Sequence, residues 1–173
     1  MGFRVLLIAI EGKAPAEIRR QLDVAPTDEF CDVPDSPVNG AAIPNGGYVL
    51  YINDRISPDD ALFETLSRGA SLLACYANET TMCSFAAMWA NGEEQWSVLH
   101  DCDDGLNHLL TTGILPEQLG TIREQQLAKQ KGVTDVDYVF DVPVSFFESL
   151  TGIHYAKNIS CDSETPWQVL RRQ

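Results

Sequence analysis

Residues Val5 to Ile10 form an unbroken aliphatic run, Val-Leu-Leu-Ile-Ala-Ile, that stops at Glu11. Six residues are too few to cross a bilayer, which takes about 18 or more. They are also short for a buried helix, and β-branched side chains favour strands. Such a run needs burial on at least one face, so it predicts a strand over Phe3–Ile10 at the heart of a sheet. It carries no signal-peptide cleavage site, and the chain reads as cytoplasmic. Similar short runs recur at Tyr48–Ile52, Leu72–Tyr76 and Tyr138–Val142. Four strands of this kind predict one mixed sheet, and the stretches between them supply helices to pack on it.

The helical stretches have recognisable starts. Pro15 precedes Ile18 and Leu22, which are four apart on one face. Ser57-Pro58-Asp59-Asp60 reads as an N-cap with acids in the first turn, leading a helix that ends near Gly69. Asp103 or Asp104 is a candidate cap for a helix through Leu106, Leu109 and Leu110, closed by Gly113. Pro116 opens a longer helix to Lys131. Pro143 opens a short one that Gly152 ends. Met82–Trp89 and Gln95–His100 flank Asn91-Gly92, a hairpin signal, with Trp89 and Trp96 placed to pair across it; the serine, alanine and methionine of the first segment leave helix as a rival reading of it. The tail around Trp167 reads as a short docked helix or strand.

Residues 23–47 differ from the rest. They contain four prolines, three glycines and much of the acid, and read as a long acidic loop. The expected architecture is therefore a single α+β domain over 1–173, a mixed sheet with helices packed on it, interrupted by a Pro/Gly-rich acidic loop at about 23–47. At 173 residues with 45% hydrophobic residues, the chain is long enough for a real core.

Charge bounds the partners. The chain has 25 Asp and Glu against 12 Lys and Arg, a formal net charge of -13. The excess is clustered: eight acids and one base between Asp23 and Asp60, and five acids with no base between Glu93 and Asp104. A surface of this sign repels nucleic acid and anionic lipid and attracts basic proteins. Asp28, Glu29, Asp32 and Asp35 in the proline-rich stretch, with Asp103 and Asp104, are the candidate partner-binding residues. A homo-oligomer remains open.

No motif points to catalysis. His100-Asp101-Cys102-Asp103-Asp104 with His108 holds metal-ligand types, but it is neither a calcium loop nor HExxH, and capping explains its acids. No metal or other cofactor is assigned. Ser84 lacks a GxSxG setting, and Cys75 with His100 and Asp101 makes a thiol triad only if the fold assembles it. No glycine-rich phosphate loop is present. The five cysteines, Cys31, Cys75, Cys83, Cys102 and Cys161, have irregular spacing, which predicts reduced thiols.

Three stretches together, Trp96-Ser97-Val98-Leu99-His100-Asp101, Val136 to Pro143 and Leu150-Thr151-Gly152, resemble small bacterial proteins to which no activity attaches. Size and acidity are also similar to those of the immunity partners of bacterial toxins. The leading expectation is a non-enzymatic protein that binds a basic partner, in concrete form a neutraliser of a basic toxin. The rival expectations are an enzyme with a site near His100–His108, metal-dependent or not, and a structural or oligomeric protein.

Overall fold

The computed structural model describes residues 2–44, 46–53, 58–161 and 163–173. Within these residues nine strands form one sheet in the order β2-β9-β3-β4-β1-β5-β6-β7-β8. The strands are β1 (Arg4–Glu11), β2 (Val24–Cys31), β3 (Val38–Ala42), β4 (Tyr48–Ile52), β5 (Ser71–Asn78), β6 (Cys83–Ala90), β7 (Glu93–Asp101), β8 (Leu110–Gly113) and β9 (Trp167–Arg172). Among the described residues, four helices join them: α1 (Pro15–Gln21), α2 (Asp60–Ser67), α3 (Gln118–Gln130) and α4 (Asp141–Thr151). The chain is α+β, as its sequence implies. The expected mixed sheet is instead antiparallel at every described pairing. None of the described helices is long and apolar enough to cross a membrane.

The aliphatic run of β1 sits between β4 and β5, with Leu7 opposite both Tyr51 and Cys75. Its alternate residues serve two cores. Val5, Leu7 and Ala9 face a layer made by α3 and α4, where Val142, Phe146 and Phe147 are buried. Leu6, Ile8 and Ile10 face α1 and α2, through Ile18, Phe63 and Leu66. Helices on both faces explain why β1 and β4 carry no polar alternation: neither face meets water. Each fully buried phenylalanine contributes about 2–3 kcal/mol of apolar burial.

Several expectations are corrected. Residues 23–47 are not one loop but contain β2 and β3, whose partner β9 arrives from the far end of the sequence. Tyr138–Val142 is not a strand. Val139, Phe140 and Val142 are buried as they turn into α4, which starts two residues before Pro143. Proline is tolerated there because the first turn needs no donor. The helix expected after Asp104 is a single 3-10 turn (Cys102–Asp104) followed by the edge strand β8. The Asn91-Gly92 turn forms as expected, with φ of 53° and 85°. A register shift after Met88 places Trp96 opposite Met88 and Trp89 opposite Glu94. The two tryptophans therefore do not pair. Trp89 packs near Phe63 and Trp96 against Phe146, in different cores. The expected cap Ser57, like Asp54 and Arg55 of the acidic stretch, lies outside the described residues; Asp59 caps α2, accepting from the Ala61 N–H at 3.0 Å.

Candidate functional site

The expected partner-binding acids fall at two places. Asp28 and Glu29 lie in β2, and Asp32 and Asp35 lie in its connection to β3; all four are exposed. β2 is an edge of the sheet. It is held by side chain to backbone bonds as well as by its ladder. Thr27 Oγ1 donates to the Val169 carbonyl at 2.9 Å, and Gln168 Nε2 donates to the Thr27 carbonyl at 2.8 Å. Pro26 and a register shift between Pro26 and Phe30 break the regular edge, a device that disfavours indiscriminate strand addition.

Between these acids stand two exposed apolar side chains, Phe30 at 57% and Val33 at 58% exposure. Glu29 meets Arg171 at 2.6 Å in an exposed pair, which stabilises little. Cys31 lies partly buried beside them, donating to the Trp167 carbonyl. Burial raises its thiol pKa, and the nearby Asp35 and Asp32 carboxylates raise it further. The thiol is therefore a poor nucleophile.

Asp103 and Asp104 lie at the end of β7, near the opposite edge of the sheet. Six strands lie between them and the β2 acids, which makes seven strand spacings, roughly 33 Å. The two sets are distinct surfaces. Asp101 accepts from the Asp103 N–H at 3.0 Å, capping the 3-10 turn. Asp101, Cys102 and Asp103 bring ligand-type atoms within 4.8 Å of one another. Burial first, then Asp103, Asp137 and Asp101, raises the Cys102 thiol pKa. With no metal bound, that favours the protonated thiol.

His100 is at 0% exposure and has both ring nitrogens committed. Nδ1 is 2.7 Å from the His108 carbonyl, which only accepts, so Nδ1 carries hydrogen. Nε2 is 2.8 Å from Asp137 Oδ2, and one proton bridges that pair. Asp137 Oδ1 also accepts from the Phe140 N–H, at the start of α4. His108 Nδ1 in turn accepts from the Asp101 N–H at 3.1 Å. The histidines expected as ligands or acid–base groups thus tie β7, the 102–108 turn and the 137–140 turn together. Ser84 sits opposite His100 in the ladder, but its hydroxyl donates to the Phe140 carbonyl at 2.7 Å and is buried. Ser84, His100 and Asp137 share the residue types of a catalytic triad without a hydroxyl-to-imidazole bond or an open face. Cys75 is buried with a strongly raised thiol pKa, and Asp101 alternates to the sheet face opposite His100; the thiol triad does not assemble.

Asp137 was not legible as a partner of His100, since 37 residues separate them and no local pattern links them. A second polar group under the start of α4 also has no sequence signal. Tyr155 donates to Glu79 Oε1 at 2.8 Å, and Tyr51 donates to the Tyr155 carbonyl at 3.0 Å. Burial raises the Asp141 carboxyl pKa, and burial lowers that of His154. The three stretches that carry the sequence resemblance meet on this helix-covered face: His100 bonds Asp137, and Trp96, Leu150 and Thr151 line one cavity of about 310 Å³.

No family model, curated protein or solved structure matches this chain.

Proposed function

We propose that the protein binds a basic protein partner through the β2 edge and acts by that binding rather than by catalysis. The observation that carries this reading is the placement of exposed Phe30 and Val33 among Asp28, Glu29, Asp32 and Asp35. Exposed apolar side chains interleaved along the chain with acids suit a partner with basic groups and an apolar pocket. The carboxylates speed encounter; the apolar side chains slow departure. A β-edge adds backbone groups that such a partner can meet. In its concrete form the partner is a basic toxin and this chain its neutraliser, with carboxylates occupying the place of nucleic-acid phosphates. Asp103 and Asp104 form a separate acidic surface, and this reading does not need them.

The test compares the wild-type protein with a variant in which Asp28, Asp32 and Asp35 become Asn and Glu29 becomes Gln, and with Phe30→Ser. Cross-linked capture identifies proteins retained by the wild type and lost by the charge variant. Association kinetics with a captured basic protein then read the mechanism. The charge variant is expected to associate about tenfold or more slowly at low salt, with an unchanged unfolding midpoint. Phe30→Ser is expected to raise the dissociation rate instead. Identical capture by all forms, or an unchanged association rate at low salt, refutes the reading.

A further inference from the structure

A groove of about 670 Å³ opens on the α1 side of the sheet, between α1 and the segment leading into β9. Its floor is made of small residues, Gly40 and Ala42, and Phe30 and Pro166 supply apolar walls. In a chain of net charge -13, no described residue lining this groove is acidic, and the one charged side chain there is Arg19.

Tyr48 is the second unusual feature. It is 4% exposed, and its hydroxyl meets no hydrogen-bond partner among the described residues. A buried hydroxyl left without a partner is costly, and most are satisfied in folded proteins. The Tyr48 ring reaches across to β3, so close that a side-chain carbon on Gly40 would stand 2.0 Å from the hydroxyl oxygen. Glycine at position 40 therefore makes room for this tyrosine over the groove floor. The Arg19 guanidinium carbon lies 5.9 Å from the ring centre. The phenol pKa is raised by burial, and nearby Arg19 opposes the rise without making a hydrogen bond of ordinary geometry. One cation and one unspent donor thus stand side by side at the edge of an apolar groove.

We infer that this groove binds a small organic monoanion, a carboxylate carried on a flat apolar body. The carboxylate meets the Arg19 guanidinium, whose planar fork matches it, and takes the Tyr48 hydroxyl as a second donor. Seating the carboxylate requires Arg19, which lines the groove beside the Tyr48 ring, to shift and expose the buried hydroxyl. The body of the ligand lies over Gly40 and Ala42 against Phe30. A single cation suits a single negative charge. A phosphate dianion calls for more positive charge than this lining holds, in a molecule whose overall field opposes anions. The site stands apart from the proposed protein-binding edge in Arg19 and Tyr48, which that edge does not use; Phe30 is common to both.

The experiment is titration of isotope-labelled protein with benzoate, with its neutral isostere benzamide, and with inorganic phosphate, read by backbone amide shifts. Benzoate is expected to shift the amides of Gly40, Ala42 and Phe30 and to bind about tenfold more tightly than benzamide. Arg19→Gln is expected to abolish that preference. Tyr48→Phe is expected to weaken benzoate about tenfold while its melting temperature holds or rises, because the unpaired hydroxyl is gone. A merely structural tyrosine would not give that opposition of binding and stability. Equal binding of benzoate and benzamide overturns the inference, as do shifts confined elsewhere, or none up to about 20 mM ligand. Unchanged benzoate binding in both variants, or tighter binding of phosphate than of benzoate, overturns it equally.

Discussion

Replacing Asp137 by alanine tests whether the buried histidine locks the fold. The carboxylate makes two bonds, from His100 Nε2 at 2.8 Å and from the Phe140 N–H at 3.1 Å. Its side chain is 5% exposed and that of His100 is fully buried, so water cannot replace what is lost. Removing one member of a buried pair costs about 3–5 kcal/mol, much of it from the partner left unpaired. A domain of this kind holds about 5–15 kcal/mol in total. With a urea dependence of about 2 kcal/mol per molar, the unfolding midpoint should fall by about 1.5–2.5 M. Tryptophan fluorescence is a suitable signal, since Trp89, Trp96 and Trp167 are all buried. Asp137→Asn separates charge from shape. Its oxygen keeps the Phe140 bond, and its amide donates to Nε2 of a neutral His100 whose Nδ1 hydrogen still bonds the His108 carbonyl. That variant should lose about 1 kcal/mol. A midpoint shift under about 0.5 M for Asp137→Ala would show that the pair is incidental to the fold.

Burial lowers the His154 pKa, with Glu148, Lys157, Asp141 and Glu79 around it. Its contribution to stability is therefore fully present above pH 6.5 and is lost as pH falls through the lowered folded value; melting curves of His154→Asn should be flatter over that window. Asp141 acts in the opposite sense, because its folded pKa is raised. Stability linked to it rises as pH falls through that raised value, so Asp141→Asn should stabilise at neutral pH and make the loss of stability towards acid pH steeper. Thiol titration in denaturant should count five groups, all free, and in the native protein Cys75 should react last, on unfolding; a native bridge would overturn this.

Central strands were legible because burial on both faces writes itself as an uninterrupted apolar run, as in β1, β4 and β5. Edge strands were not. In β2 only Val24 is buried, so Pro26, Asp28 and Glu29 read as loop, and an edge tolerates proline because its outward N–H has no ladder partner to lose. Leu106, Leu109 and Leu110 have helical spacing, yet Leu110 is exposed on the edge strand β8. Tyr138–Val142 shows the converse: an apolar stretch buried without being a strand, because α4 begins inside it. The pinning of His100 depends on a residue 37 positions away, and the groove at Tyr48 depends on glycine facing tyrosine across two strands. Both are products of tertiary register, which local pattern does not encode.

The position of β9 sets a timetable for folding. It lies between β2 and β3, which do not pair with each other. About 125 residues separate the end of β3 from the start of β9. At about 5–20 residues per second, the ribosome takes roughly 6–25 s to make them. During that interval β2 has no strand to pair with, and β3 has only β4. Closing a ladder over so long a span is slow on topological grounds. Acidic side chains on a waiting edge strand repel their like, and charge of this kind disfavours edge-to-edge pairing.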